Sequence, residues 1–157
     1  SPPDAVRIVE RAEVLLADGT VEVLGPFGVT AQAPLRSLTV QRLVPKLFEL
    51  AASDAAQCCA QVIPWPACYR LDALIATATH EPNLAQLLFG HQGRLGWLQT
   101  LWLKRPQFEV GMTAKTEGAR APLLPLASRL DQELKHILDP LGVFGSNSNL
   151  KGLESAS

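Results

Sequence analysis

Gly90, Gly93 and Gly96 fall within seven residues, and His91 and Gln92 stand between the first two. Glycine admits backbone angles closed to other residues and lets a chain pass close to a bound group, so this spacing suits a loop that touches a ligand. Behind the loop, Trp97-Leu98-Gln99-Thr100-Leu101-Trp102-Leu103-Lys104 has the length and aromatic content of a buried strand. An unligated tight loop between a helix and a strand uses the same residues, and a histidine with a pKa of about 6.5 serves as a surface group or as a proton carrier.

Other reactive side chains form no recognisable machinery. Cys58, Cys59 and Cys68 cannot all pair, and no Cys-x-x-Cys spacing is present, so reduced thiols acting as small helix hydrophobes are expected instead of a metal site. His136 falls in the last turn of an expected helix, where a cation complements the helix dipole, and no partner can be named for His80. Neither Gly-x-Ser-x-Gly, His-Glu-x-x-His nor a phosphate loop ending in Gly-Lys-Ser/Thr occurs.

The elements that must hold the loop follow from periodicity. Alternation in Glu13–Ala17 and Thr20–Leu24, split by Asp18-Gly19, predicts an antiparallel hairpin within Val6–Leu24. Leu38, Leu43, Leu47, Phe48, Leu50 and Ala51 recur at helical spacing, and Pro45 predicts that this stretch divides into two helices. Pro64-Trp65-Pro66 reads as a rigid extended break, and Leu71–Thr79 as a short helix or strand. Gln107–Val110 reads as a strand and Thr113–Ala119 as a mobile loop. Ser128 is the expected N-cap of a helix running to Leu138, with Leu130, Leu134, Ile137 and Leu138 on its apolar face and Pro140 closing it.

Two of these segments carry a resemblance. Leu88-Phe89-Gly90-x-x-Gly93-x-Leu95-Gly96, followed by a strand ending in Leu103-Lys104-x-Pro106, resembles the flavin-lining segment of the FAD-linked oxidases, the vanillyl-alcohol-oxidase-like family. Ala121-Pro122-Leu123 and Leu134–Phe144, with its Leu-Asp-Pro-x-Gly-Val-Phe, resemble the closing helix and tail of the FAD-binding subunit of glycolate oxidase. The resemblance is partial. No segment matches the pyrophosphate-binding half, Gly25–Leu87 is longer than the family's connection, the cap is reduced to Gln107–Arg120, and Phe144-Gly145-Ser146-Asn147 stands where the family has Phe-Asn-Pro-Gly.

The resemblance implies FAD as cofactor, held non-covalently by Gly90, His91, Gln92, Gly93, Leu95 and Gly96. It implies oxidation of a small 2-hydroxy acid such as glycolate, with the missing half supplied by another subunit or domain. A second reading is a non-catalytic α+β module, derived from a flavoprotein, that binds a protein partner through Trp65, Trp97 or Trp102.

Composition bounds both readings. The 157 residues are 47% apolar and 18% charged, which predicts one globular α+β domain over residues 1–145, a small antiparallel or mixed sheet packed by several helices as in part of a two-subdomain FAD-binding fold. The small polar residues 146–157 read as a flexible tail. A net charge of −1 without a basic block argues against nucleic acid, and no apolar run nears the roughly 20 residues of a membrane span. Ser1-Pro2-Pro3-Asp4 has no leader pattern and no initiating Met, which reads as a processed or excised chain with a cytoplasmic location.

Overall fold

The computed structural model describes residues 4–28, 34–105 and 121–145. Helix α1 (Asp4–Arg7) leads into β1 (Val9–Leu15) and β2 (Val21–Leu24); α2 (Leu38–Ala52) and α3 (Asp54–Ala60) follow, then β3 (Trp97–Leu103) and α4 (Leu124–Leu138). The strands form one antiparallel sheet in the order β2-β1-β3. The fold is α+β. Gln107–Val110, Thr113–Ala119 and the 146–157 tail lie outside the described residues.

The Asp18-Gly19 hairpin forms as the alternation predicts. Gly19 takes φ 85° and donates to the Leu16 carbonyl, while Leu16 donates to the Thr20 carbonyl at 2.8 Å. Val9, Ala12 and Val14 of β1 turn inward and pack with Val44 and Leu47 of α2, Leu130 and Leu134 of α4, and Leu84, Leu87 and Leu95 of the connecting segment. The predicted apolar face of α4 is the buried one, Ile137 being only partly covered.

Helix α2 corrects the expectation of a break at Pro45. It runs unbroken from its Ser37 cap, whose Oγ accepts the Val40 amide, and the chain breaks at Ser53, which ends α2 and caps α3. Pro45 and Gln41 are both exposed, so the Gln41 carbonyl that loses its helical donor faces water, not core. Helix α4 likewise begins at Leu124 instead of after Ser128, because Pro125 sits in the first turn, where a missing amide hydrogen costs nothing. Leu71–Leu74 forms a 3₁₀ turn, resolving the helix-or-strand ambiguity there.

A larger correction concerns the strand behind the glycines. Instead of being buried, β3 is exposed at every residue. It is an edge strand, paired with β1 from Trp97 opposite Leu15 to Leu103 opposite Val9, and no described element covers it. Trp65, in contrast, is buried and donates its indole N–H to the Tyr69 carbonyl at 2.8 Å, so it belongs to the core and not to a binding surface.

Candidate functional site

Two buried amide side chains seat the glycine bend. β1 is irregular at Glu10, where the ladder to β3 slips by one residue, and Asn83 and Gln86 fill the gap: Asn83 Nδ2 donates to the Glu10 carbonyl at 3.1 Å, and Gln86 Nε2 donates to the Val9 carbonyl at 3.0 Å. Such irregularities leave ladder groups unpaired, and side-chain amides satisfy them. The 3₁₀ turn Gln86–Leu88 is thereby fixed against β1, and the bend begins at its end.

Within the bend, Gly90 (φ 75°), Gln92 (φ 52°) and Gly93 (φ 73°) all adopt left-handed backbone. Gly90, Gln92 and Gly93 form an exposed rim, and a side-chain carbon built at Gly90 or Gly93 would meet nothing within 4 Å. His91, Leu95 and Gly96 face inward. The Leu95 amide donates to His91 Nδ1 at 3.4 Å, which places the ring proton on Nε2 in the neutral ring. Leu95 is fully buried, and Gly96 lies against Val14 and the Leu15 carbonyl, where β3 meets β1. Of the six predicted cofactor contacts, three line an open surface and three hold the bend in shape.

Burial pushes the His91 imidazole below the usual histidine range. A histidine kept neutral in the fold binds its proton more readily when unfolded, so its contribution is present above pH 6.5 and lost as the pH falls below it. Thermal melts of the protein and of His91→Asn, whose amide oxygen can still accept the Leu95 N–H, are expected to converge as the pH falls from 7.5 to 5.5 (about one unit on either side of the free histidine value). A pH-independent gap would show that His91 does not titrate on unfolding. His80 behaves similarly: it is buried, and its Nε2 lies 3.2 Å from the Ala73 carbonyl, a partner the sequence did not reveal.

The bend is tied to the C-terminal segment by Lys135, whose Nζ donates to the Arg94 carbonyl and to Asp139 Oδ2, each at 2.5 Å. Asp139 also accepts the amides of Val143 at 2.8 Å and Phe144 at 2.9 Å, folding the Leu-Asp-Pro-x-Gly-Val-Phe tail back on itself. Burial pushes its carboxyl up, and these hydrogen bonds outweigh burial and hold it below the usual range. The two segments that carry the family resemblance are thus neighbours in space. The i, i+4 spacing of Lys135 and Asp139 is legible in sequence; the reach of 41 residues back to Arg94 is not.

A groove of about 330 Å³ lies alongside, lined by residues that include Cys68, Tyr69, Asp131 and Lys135. Its charged groups are engaged internally. Asp131 accepts the amides of Cys68 and Tyr69, both at 2.9 Å, and burial raises its carboxyl pKa despite them. None of the six predicted loop residues lines this groove. Of the cysteines, only Cys59 is buried in its helix; Cys58 and Cys68 are exposed, and none of the three is in a disulfide. Among the described residues, no three His, Cys, Asp or Glu side chains gather as metal ligands, and no helix is long and apolar enough to cross a membrane.

The site therefore consists of an open glycine rim, a lysine bridge behind it, and an uncovered apolar strand running from it. Trp97 is 64% exposed, Leu103 58%, and Leu98, Leu101 and Trp102 between 39% and 41%. No family model, curated protein or solved structure matches the chain.

Proposed function

We propose that the chain is one part of an FAD-dependent oxidase or dehydrogenase acting on a 2-hydroxy acid such as glycolate, and that its other part packs on β3. The observation that carries this reading is β3 itself: five large apolar side chains stand exposed on one strand that starts where the glycine bend ends. Large apolar side chains left exposed along an edge strand, on both faces of the sheet, mark a contact region. Further support comes from the Lys135 bridge, which joins the two segments resembling that family.

The exposed rim suits the edge of a flat ring, since the backbone at Gly90 and Gly93 can be approached without a side chain in the way. When bound, a flavin supplies the two-electron oxidation of the hydroxy acid to an oxo acid. The chain's own share is geometric. His91 and Leu95 fix the bend from inside, Gln92 offers an amide at the rim, and the β3 face excludes water once covered.

Native mass and visible absorbance of the complex purified from its source test this reading together. A complex heavier than the chain, yellow, and bleached by glycolate or another 2-hydroxy acid is expected. A colourless complex would favour the second reading, a non-catalytic α+β interaction module binding a protein partner, which the inward use of His91, Leu95 and Gly96 also fits.

A further inference from the structure

We infer that the free edge of β3 accepts an antiparallel strand from another polypeptide, apolar on both of its faces and opened by acidic residues at its N-terminal end. This rests on the reading that another part packs on β3, and it names the chemistry of that part.

The sheet has two edges, and they differ. At the β2 edge, buried Glu22 accepts the amides of Arg36 and Ser37 at 3.0 and 2.7 Å, pinning the chain that enters α2 beside the strand. β2 is also only four residues long. β3 spans seven residues, Trp97–Leu103, with no charge, no proline and no described covering element. Edges are ordinarily protected against strand addition by shortness, charge, proline, cover or a bulge, and of these β3 has only the one-residue irregularity at Gln99 in its ladder with β1.

The face pattern states what the incoming strand must carry. Leu98 and Leu101 stand opposite Val14 and Ala12 and continue the inner, helix-covered face of the sheet. Trp97 and Trp102 stand opposite Leu15 and Arg11 and continue the outer face. Both faces of an added strand would meet large apolar neighbours, so it must be apolar on both sides.

Charge sets the kind of partner, and antiparallel pairing, the pattern of both existing ladders, sets which end of it carries the charge. Lys104 and Arg105 follow β3 directly, and both are exposed and form none of the ion pairs among the described residues. In an antiparallel pair the start of the incoming strand lies beside the end of β3, about 5 Å away, well inside the screening length of physiological salt. Carboxylates at that start meet Lys104 and Arg105, while Arg11, on the far side of β3, lies against Gly25. A second copy of this chain fits poorly. Antiparallel pairing of β3 with itself would lay Lys104 and Arg105 beside the other copy's Arg94–Trp97, and residues 91–103 contain no acidic side chain.

The test uses the full chain and three synthetic peptides with one Val/Ile/Thr core: one opened by two glutamates, one opened by two lysines, and one with the glutamates at its C-terminal end. Tryptophan fluorescence reads affinity, and amide hydrogen exchange reads the site. The Glu-first peptide is expected to bind about tenfold tighter than the other two at low salt, in keeping with two exposed ion pairs. It should slow exchange at 97–103, and its advantage should vanish near 1 M salt, where the screening length is about 3 Å. The surface variant Lys104→Glu/Arg105→Glu leaves the core untouched and should reverse the preference toward the Lys-first peptide. Equal affinities, protection away from β3, no binding at all, or a concentration-dependent dimer of the chain alone would each overturn the proposal. Flavin is not read in this experiment, so a colourless native complex would end the reading above and leave this result standing.

Discussion

Lys135→Met is expected to lower unfolding stability by about 2–3 kcal/mol, the scale for stripping one partner from a buried ion pair, reduced because the lysine is not fully enclosed. Methionine keeps the straight-chain volume and the helix preference, so the loss reports the ammonium. The Asp139 side chain is 0% exposed and would keep only the Val143 and Phe144 amides, and the Arg94 carbonyl would lose its lysine donor. Denaturant unfolding measures the loss, and two companions assign it. Asp139→Asn removes the charge that needs the lysine, so the double variant should be more stable than the sum of the single losses requires. The gap between the protein and Lys135→Met should also close in acid. A carboxyl held below its ordinary range stabilises above the unfolded value of about 3.9, and that contribution disappears as the pH falls past it. A loss below about 0.5 kcal/mol, the range of an exposed pair, would show that the bridge does not hold bend and tail together.

Gly96→Ala is expected to cost about 1–3 kcal/mol, the range for forcing a methyl group into a packed interior. The new carbon would stand 2.6 Å from Val14 Cγ2 and 3.1 Å from the Leu15 carbonyl. Val14 is fully buried and β-branched, so it has no free rotamer to retreat into, and the start of β3 must move off β1. Val14→Ala in the same chain removes the clashing methyl and should recover part of the loss, a coupling that Gly90→Ala, which meets open space and suffers only from its positive φ, should not show. Calorimetric melts of the single and double variants decide it. Strict additivity of Gly96 and Val14 would refute the close approach.

These outcomes separate two jobs inside one motif. Gly96 permits two strands to meet, while Gly90 and Gly93 leave a surface open, although in sequence the three look alike. Only the neighbours differ: Val14 and Leu15 crowd one glycine, and the other two meet nothing. Likewise, His91 carries the residue type expected of a ligand contact and spends its Nδ1 on the Leu95 amide.

What the sequence determined by itself is local. Asp18-Gly19 specified the hairpin through a positive φ that glycine accepts, and the spacing of Leu130, Leu134 and Leu138 specified the buried face of α4, since both rest on interactions within a few residues. The start of α4, the tolerance of Pro45, the clasp of Lys135 on Arg94 and the exposure of β3 were decided only by the tertiary structure. The run Trp97–Leu103 reads the same whether an element covers it or not, because hydrophobicity records what a strand would gain from a neighbour and not whether the fold supplies one.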